Sequence, residues 1–471
     1  MSTAGVAFYE SCPATIVEHC CAADLTGRGG TSGARDLIVA RSTSLELYAL
    51  HEEPAPYTPP GAPPAKGALD GITSAQLRFV TRLPLNGVVA SMQPVSAAGG
   101  GSAGRDRLLL SFADAKVALL DFDAEAHALR TLAAHSFEEL GALVGCYESK
   151  LVPPLLRVHS GGTCAAMLVY GTQLVLLPLL GAAGLGGGGT LPPIPPLVST
   201  AAGTTESTPA CSRVDLSPLA LNHVRDLAFV EGYAEPVLAV LCEPLQTWSG
   251  RLAFLSDTCT LSALQLSSRR PSCTPLWDVK GLPHDTTSIL PLPNPAGGVL
   301  ALSDNALLWL SPSHRCGLAL NRDASVSCVP QLTPCSPSTR ITLKGATAAL
   351  LSTKPLVVAL SLSDGHLYLV RLSTDGRGVH GIELLKVVLS VPACSMCSVA
   401  SKYLFLGSMV ADSLLLQLHD PLAARRLMAG APSVERLASG LFAAKAPDAK
   451  RQKVVVKIEN GAAEPMEEEE E

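Results

Sequence analysis

Seven times along the chain, a short apolar run, a polar or glycine turn and a second apolar run follow one another. The pairs are Asp36–Ala40 with Leu45–Leu50, Arg107–Ser111 with Lys116–Phe122, Cys164–Val169 with Gln173–Pro178, and Pro236–Cys242 with Gly250–Leu255. Val299–Ser303 with Ala306–Leu310, Pro355–Leu360 with His366–Leu372, and Lys402–Gly407 with Ser413–Leu418 complete the set. Gaps of about two to seven residues are hairpin spacing. The turns Ala113-Asp114-Ala115, Tyr170-Gly171-Thr172 and Ser363-Asp364-Gly365 place Gly or Asp where the chain must reverse. The pairs recur at roughly 50 to 70 residues, with strand-like neighbours such as Gln76–Leu83, Gly87–Met92, Ala128–Ala133, Thr260–Leu266 and Ile382–Leu389. About four short strands per unit, in seven units, predict an all-β, seven-bladed β-propeller. Continuous Leu/Val runs, in place of strict alternation, suit strands buried on both faces. Helical windows are scarce; Ser136–Gly145 and Ala431–Ala444 are short candidates.

At 47% apolar and 16% charged residues, the 471-residue chain has material for a large core. Low-complexity stretches interrupt it at Glu52–Ala68, Ala97–Gly104, Gly181–Thr208 and Cys328–Thr339. These Gly- and Pro-rich insertions are expected to be flexible surface loops. The formal charge is −6, and half of the excess lies from Lys445 onward, where five Lys/Arg face eight Asp/Glu. The tail Lys445–Glu471 is therefore expected to be disordered, and the body to be near neutral. A near-neutral body has no long-range field to gather phosphate, which argues against strong autonomous binding of nucleic acid. The N-terminus lacks a basic segment followed by an apolar one, so no secretory signal is expected. The longest apolar run, Leu174–Leu185, is broken by Pro178 and falls short of the ~20 residues that span a bilayer. Fourteen scattered Cys then read as reduced, mostly buried thiols of a cytosolic or nuclear protein.

Four motifs suggest chemistry, and each lacks its context. Gly184-Leu185-Gly186-Gly187-Gly188-Gly189 matches a dinucleotide-binding loop, but Pro192, Pro193, Pro195 and Pro196 prevent the helix that must follow. Gly100-Gly101-Ser102-Ala103-Gly104 matches a nucleophile elbow without the strand before it or the helix after it. Cys394-Ser395-Met396-Cys397 is a lone C-x-x-C, and Glu18-His19-Cys20-Cys21 on a strand would send neighbours to opposite faces. Both read as packing residues. The histidines, among them His127, His159, His223 and His366, show no metal-ligand spacing. No catalytic, cofactor or metal residues are assigned. Lys450, Arg451, Lys453 and Lys457 form a basic cluster that reads either as a nuclear-import or phosphate-contact patch or as a solvated tail. Trp248 is expected to be buried packing, as most tryptophans are.

Several segments carry a family resemblance. They are LLLSFADAKVALLDFD at Leu108–Asp123, HALRTLAAHSFEE at His127–Glu139, CAAMLVYGTQLVLLPL at Cys164–Leu179 and EPLQTWSGRL at Glu243–Leu252. Asp257–Ser267, Leu360–Val370 and Tyr403–Leu418 extend the series in collinear order. The chain resembles the N-terminal third of the large subunit of cleavage and polyadenylation specificity factor. That family is wider and includes the large subunit of damaged-DNA-binding protein. The resemblance implies three seven-bladed propellers and a helical domain, of which this chain supplies the first propeller and reads as a fragment or a truncated form. Residues 1–14, with Val6–Ser11, would then be a strand joining the absent last propeller, residues 15–427 the first propeller, and residues 428–471 a mostly disordered linker. It further implies a non-catalytic scaffold of the nuclear pre-mRNA 3′-end processing complex, with WD-repeat and zinc-finger subunits as partners. Pre-mRNA would be met mainly through the assembled complex, with no membrane and no small-molecule substrate. An adaptor of the related ubiquitin-ligase type is the alternative.

Overall fold

The computed structural model describes residues 16–27, 35–54, 72–96, 105–140, 153–179, 211–267, 273–330, 332–334, 340–376, 378–399 and 403–417. They form seven sheets, antiparallel but for one two-residue pair in the fifth, arranged as a β-propeller. Blade 1 holds β1 (His19–Ala23), β2 (Asp36–Arg41), β3 (Ser44–Pro54) and β4 (Ile72–Pro84). Blade 2 holds β5 (Val89–Val95), β6 (Arg107–Phe112), β7 (Lys116–Asp123) and β8 (Ala128–Ser136). Blade 3 holds β9 (Leu155–Val158), β10 (Cys164–Val169), β11 (Gln173–Pro178) and β12 (Ser212–Asp215). Blade 4 holds β13 (Val224–Val230), β14 (Val237–Cys242), β15 (Cys259–Leu266) and β16 (Cys273–Leu282). Blade 5 holds β17 (Thr286–Pro291), β18 (Val299–Ser303), β19 (Ala306–Leu310), β20 (Arg315–Ala319) and β21 (Thr333–Pro334). Blade 6 holds β22 (Thr347–Thr353), β23 (Leu356–Ser361), β24 (His366–Thr374) and β25 (Val379–Leu389). Blade 7 holds β26 (Ser395–Val399), β27 (Tyr403–Gly407) and β28 (Leu414–Gln417) among the described residues.

Strand alternation explains why the apolar runs are continuous. On β23, Val357 and Ala359 face blade 7, while Leu356, Val358 and Leu360 face blade 5. On β14, Ala239 and Leu241 face blade 5, while Leu238 and Val240 face blade 3. Each middle strand thus needs apolar residues at both parities. The core is accordingly divided into seven clusters, one between each pair of successive blades, including blades 7 and 1.

Six of the seven expected hairpins are the second and third strands of a blade. The fourth differs. Pro236–Cys242 pairs through β14 with β15, not with Gly250–Leu255. Residues Ser249–Leu252 form the short helix α1 inside the β14–β15 connection. The apolar residues of Gly250–Leu255 have no facing blade to cover them, so the strand pattern there finds no ladder. A second difference is at Cys328–Thr339. Cys328 and Val329 are buried in the cluster between blades 4 and 5, and β21 pairs in parallel with β20. Two apolar anchors hold the described residues 328–330 of a stretch whose composition reads as a loop. Ser136 still belongs to strand β8, while Glu139 and Leu140, inside the expected helix Ser136–Gly145, are helical; 141–145 lie outside the described residues.

Candidate functional site

The inner strands enclose a central cavity of about 620 Å³, lined among others by Arg157, Asp226, Glu231, Ser288 and Ser395. Its charges are bound within the fold. The Arg157 guanidinium donates to an Asp226 carboxylate oxygen at 2.6 Å and to the Leu227 carbonyl at 2.8 Å. The other Asp226 oxygen accepts from Ile289 N of β17 at 2.9 Å. This one carboxylate therefore joins blades 3, 4 and 5. Next to it, Arg225 donates to Glu243 at 2.8 Å and to the carbonyls of Thr286 and His284. Such an arrangement holds blades in register.

Burial pushes the Glu243 carboxyl upward, but hydrogen bonds from Thr247, Arg225 and Thr258, with the Arg225 charge, lower it overall. A depressed folded-state carboxyl contributes stability above its unfolded value, about 4.3 for Glu, and the contribution vanishes as pH falls through the folded value. Glu243→Gln is expected to flatten the loss of stability on acidification below about pH 4.3. Urea midpoints measured from pH 7 to pH 3 test this; parallel curves for both proteins would refute it.

The two cysteine-bearing motifs, remote in sequence, meet where the ring closes. Cys20 N donates to Ser395 Oγ at 2.8 Å, and Cys20 Sγ shares a hydrogen bond with the same oxygen at 3.1 Å. The Cys394 thiol donates to the Val17 carbonyl at 2.8 Å, and Val17 N donates to Ser408 O. Cys20 and Cys397 pack in the cluster between blades 7 and 1, whereas Cys21 points into the cluster between blades 1 and 2. Hydrogen bonding with Cys20, and secondly burial, push the Cys397 thiol well up. Cys20 and Cys21 thus serve two different clusters, as the alternation of β1 requires, whereas Cys394 is exposed. Among the described residues, no group of three or more His, Cys, Asp or Glu is arranged to hold a metal ion. A Cβ built on Gly407 would lie 2.5 Å from Val17 Cγ1, so only glycine lets the residues leading into β1 approach the last blade this closely.

Trp248 departs from expectation. It is 65% exposed, at the start of α1, with the Arg251 guanidinium 6.0 Å from its ring centroid. Phe254 nearby is 93% exposed. The hairpin pattern implies a strand at Gly250–Leu255 and packing at Trp248; the signal for a connection instead is the span Leu245–Leu255, where Gln246, Thr247, Ser249 and Arg251 break up the apolar residues. Lys450, Arg451, Lys453 and Lys457 lie outside the described residues, as do Gly184–Gly189, Gly100–Gly104, Val6–Ser11 and 428–471.

A family model described as "RSE1/DDB1/CPSF1 first beta-propeller" matches residues 198–451. The chain is 34% identical over 392 residues to cleavage and polyadenylation specificity factor subunit 1 of Arabidopsis thaliana, covering 81% of this chain and 26% of the relative. It is 36% identical over 347 residues to the Drosophila melanogaster protein of the same name, covering 72% of this chain and 23% of the relative. The chain thus spans about a quarter of the length of these curated relatives. The seven sheets, the double-sided middle strands and the matched segments fall in one collinear order, and the chain belongs to the RSE1/DDB1/CPSF1 first β-propeller family.

Proposed function

We propose that this chain is a non-catalytic scaffold propeller of the nuclear machinery that cleaves and polyadenylates pre-mRNA. The similarity to cleavage and polyadenylation specificity factor subunit 1 in two organisms, over most of the chain, carries the reading. Polar groups consumed by blade-to-blade bonds support a binding role over a catalytic one. The partners are other subunits of that complex, WD-repeat and zinc-finger proteins by resemblance. The domain division is residues 1–14, 15–427 and 428–471, with Lys450, Arg451, Lys453 and Lys457 serving nuclear import or phosphate contact. Affinity purification from nuclear extract tests the reading: polyadenylation factors are expected to co-purify. The family description also covers DDB1, so recovery of a cullin ligase without polyadenylation factors would favour the adaptor alternative instead.

The near-neutral body further predicts that the purified chain alone binds AAUAAA-containing RNA weakly or not at all at physiological salt. Filter binding measures this, and tight, salt-resistant, sequence-specific retention would overturn it.

A further inference from the structure

In an up-and-down propeller, second-to-third-strand connections and the links from one blade to the next emerge on the same face, because neighbouring strands are antiparallel. Among the described residues, six of the eleven exposed large apolar side chains lie in two connections on this face. Leu245, Trp248, Phe254 and Leu255 belong to the β14–β15 connection, and Met409 and Val410 to the β27–β28 connection. The first group is concentrated and ordered. Arg251 N and Leu252 N donate to Trp248 O, Phe254 N and Leu255 N donate to Arg251 O, and Ser256 O accepts from His284 N at 2.8 Å. A pre-formed loop that holds two aromatic rings in water has the character of a protein-docking hot spot.

The charge around it is acidic. Asp257 accepts from Ser327 N at 2.8 Å beside the loop, and Asp285 and Asp304 stand on the next connections of the same face. Burial, and secondly the charge of Asp285, raise the Asp304 carboxyl, which places the two acids near one another. The basic side chains nearby are Arg251, stacked on Trp248, Arg225, paired with Glu243, and Lys344 and His284, near Asp304. An acidic surround disfavours phosphate, an anionic bilayer and a second copy of the same acidic face.

We propose that the β14–β15 connection docks a segment of a partner protein in which apolar side chains alternate with lysine or arginine. The apolar residues cover Trp248 and Phe254, and the cations meet Asp257, Asp285 and Asp304. The inference rests on the scaffold reading only in that a protein partner exists. The probes below are not subunits of that complex, so their failure and failure of co-purification are separate results.

The test is fluorescence anisotropy on the full chain in 150 mM salt, with two labelled 20-residue amphipathic peptides of one pattern, Leu/Lys and Leu/Glu. The Leu/Lys peptide is expected to bind at least ten-fold more tightly. Phe254→Ser and Trp248→Ser should each weaken it at least ten-fold, while Leu276→Ser, on outer strand β16, should not. Melting curves verify folding, and Phe254→Ser alone decides should the tryptophan variant unfold. Equal affinity for both peptides, or affinity indifferent to Phe254→Ser, overturns the proposal. So does Phe254-dependent self-association in sedimentation, or Phe254-dependent capture of RNA or anionic vesicles in place of peptide.

Discussion

Trp309→Ala is expected to cost about 3–5 kcal/mol of unfolding free energy, the range for truncating a fully buried aromatic. Trp309 is 1% exposed and sits at the centre of the cluster between blades 5 and 6. Its indole N–H donates to Gly297 O at 3.1 Å. Two glycines make room for the ring. A Cβ at Gly298 would come within 3.1 Å of its Nε1, and one at Gly378 within 2.9 Å of its Cη2. The tryptophan is thus a wedge from blade 5 into blade 6, and no neighbour can collapse into the hole without moving a whole sheet. Trp309→Phe keeps most of the volume and loses the hydrogen bond, so its cost should be clearly smaller. Urea denaturation of both variants decides. A loss below about 1 kcal/mol for the alanine variant would show that the blades repack.

Asp226→Ala should be nearly as damaging, at about 2–3 kcal/mol, because it strips the partner from the Arg157 guanidinium and orphans Ile289 N at once. The Arg157 side chain is 29% exposed, so water offsets part of the penalty that full burial would bring. The sharper prediction concerns the pair. Arg157→Met combined with Asp226→Leu should be less destabilised than Asp226→Ala alone, since no uncompensated charge remains. A double variant that is worse than the single one would mean that the ion pair itself, not the orphaned charge, carries the energy.

What the sequence revealed depended on burial. Strands β10, β11, β18 and β19 are buried at nearly every position, and their apolar runs could be read residue by residue. Outer strand β8, half exposed, was visible only in part, because nothing packs on its outward face to demand a pattern. Gly250–Leu255 was misread for the opposite reason: apolar residues announce a face, but not whether another sheet covers it. Trp248 and Phe254 are exposed because no blade reaches them. The meeting of Cys20 with Ser395 was beyond any local reading, since ring closure joins residues 375 positions apart.

That seam also sets a timetable for synthesis. At about 5–20 residues per second, the ribosome needs roughly 20 to 75 s to travel from Cys20 to Ser395. Through that interval the side of blade 1 bearing Leu37, Val39 and Tyr48 has no blade 7 to meet, because Val399, Tyr403 and Phe405 have yet to be made. The earliest-made blade is therefore the last to be covered on both sides, and a nascent chain would need protection there until translation passes Gln417.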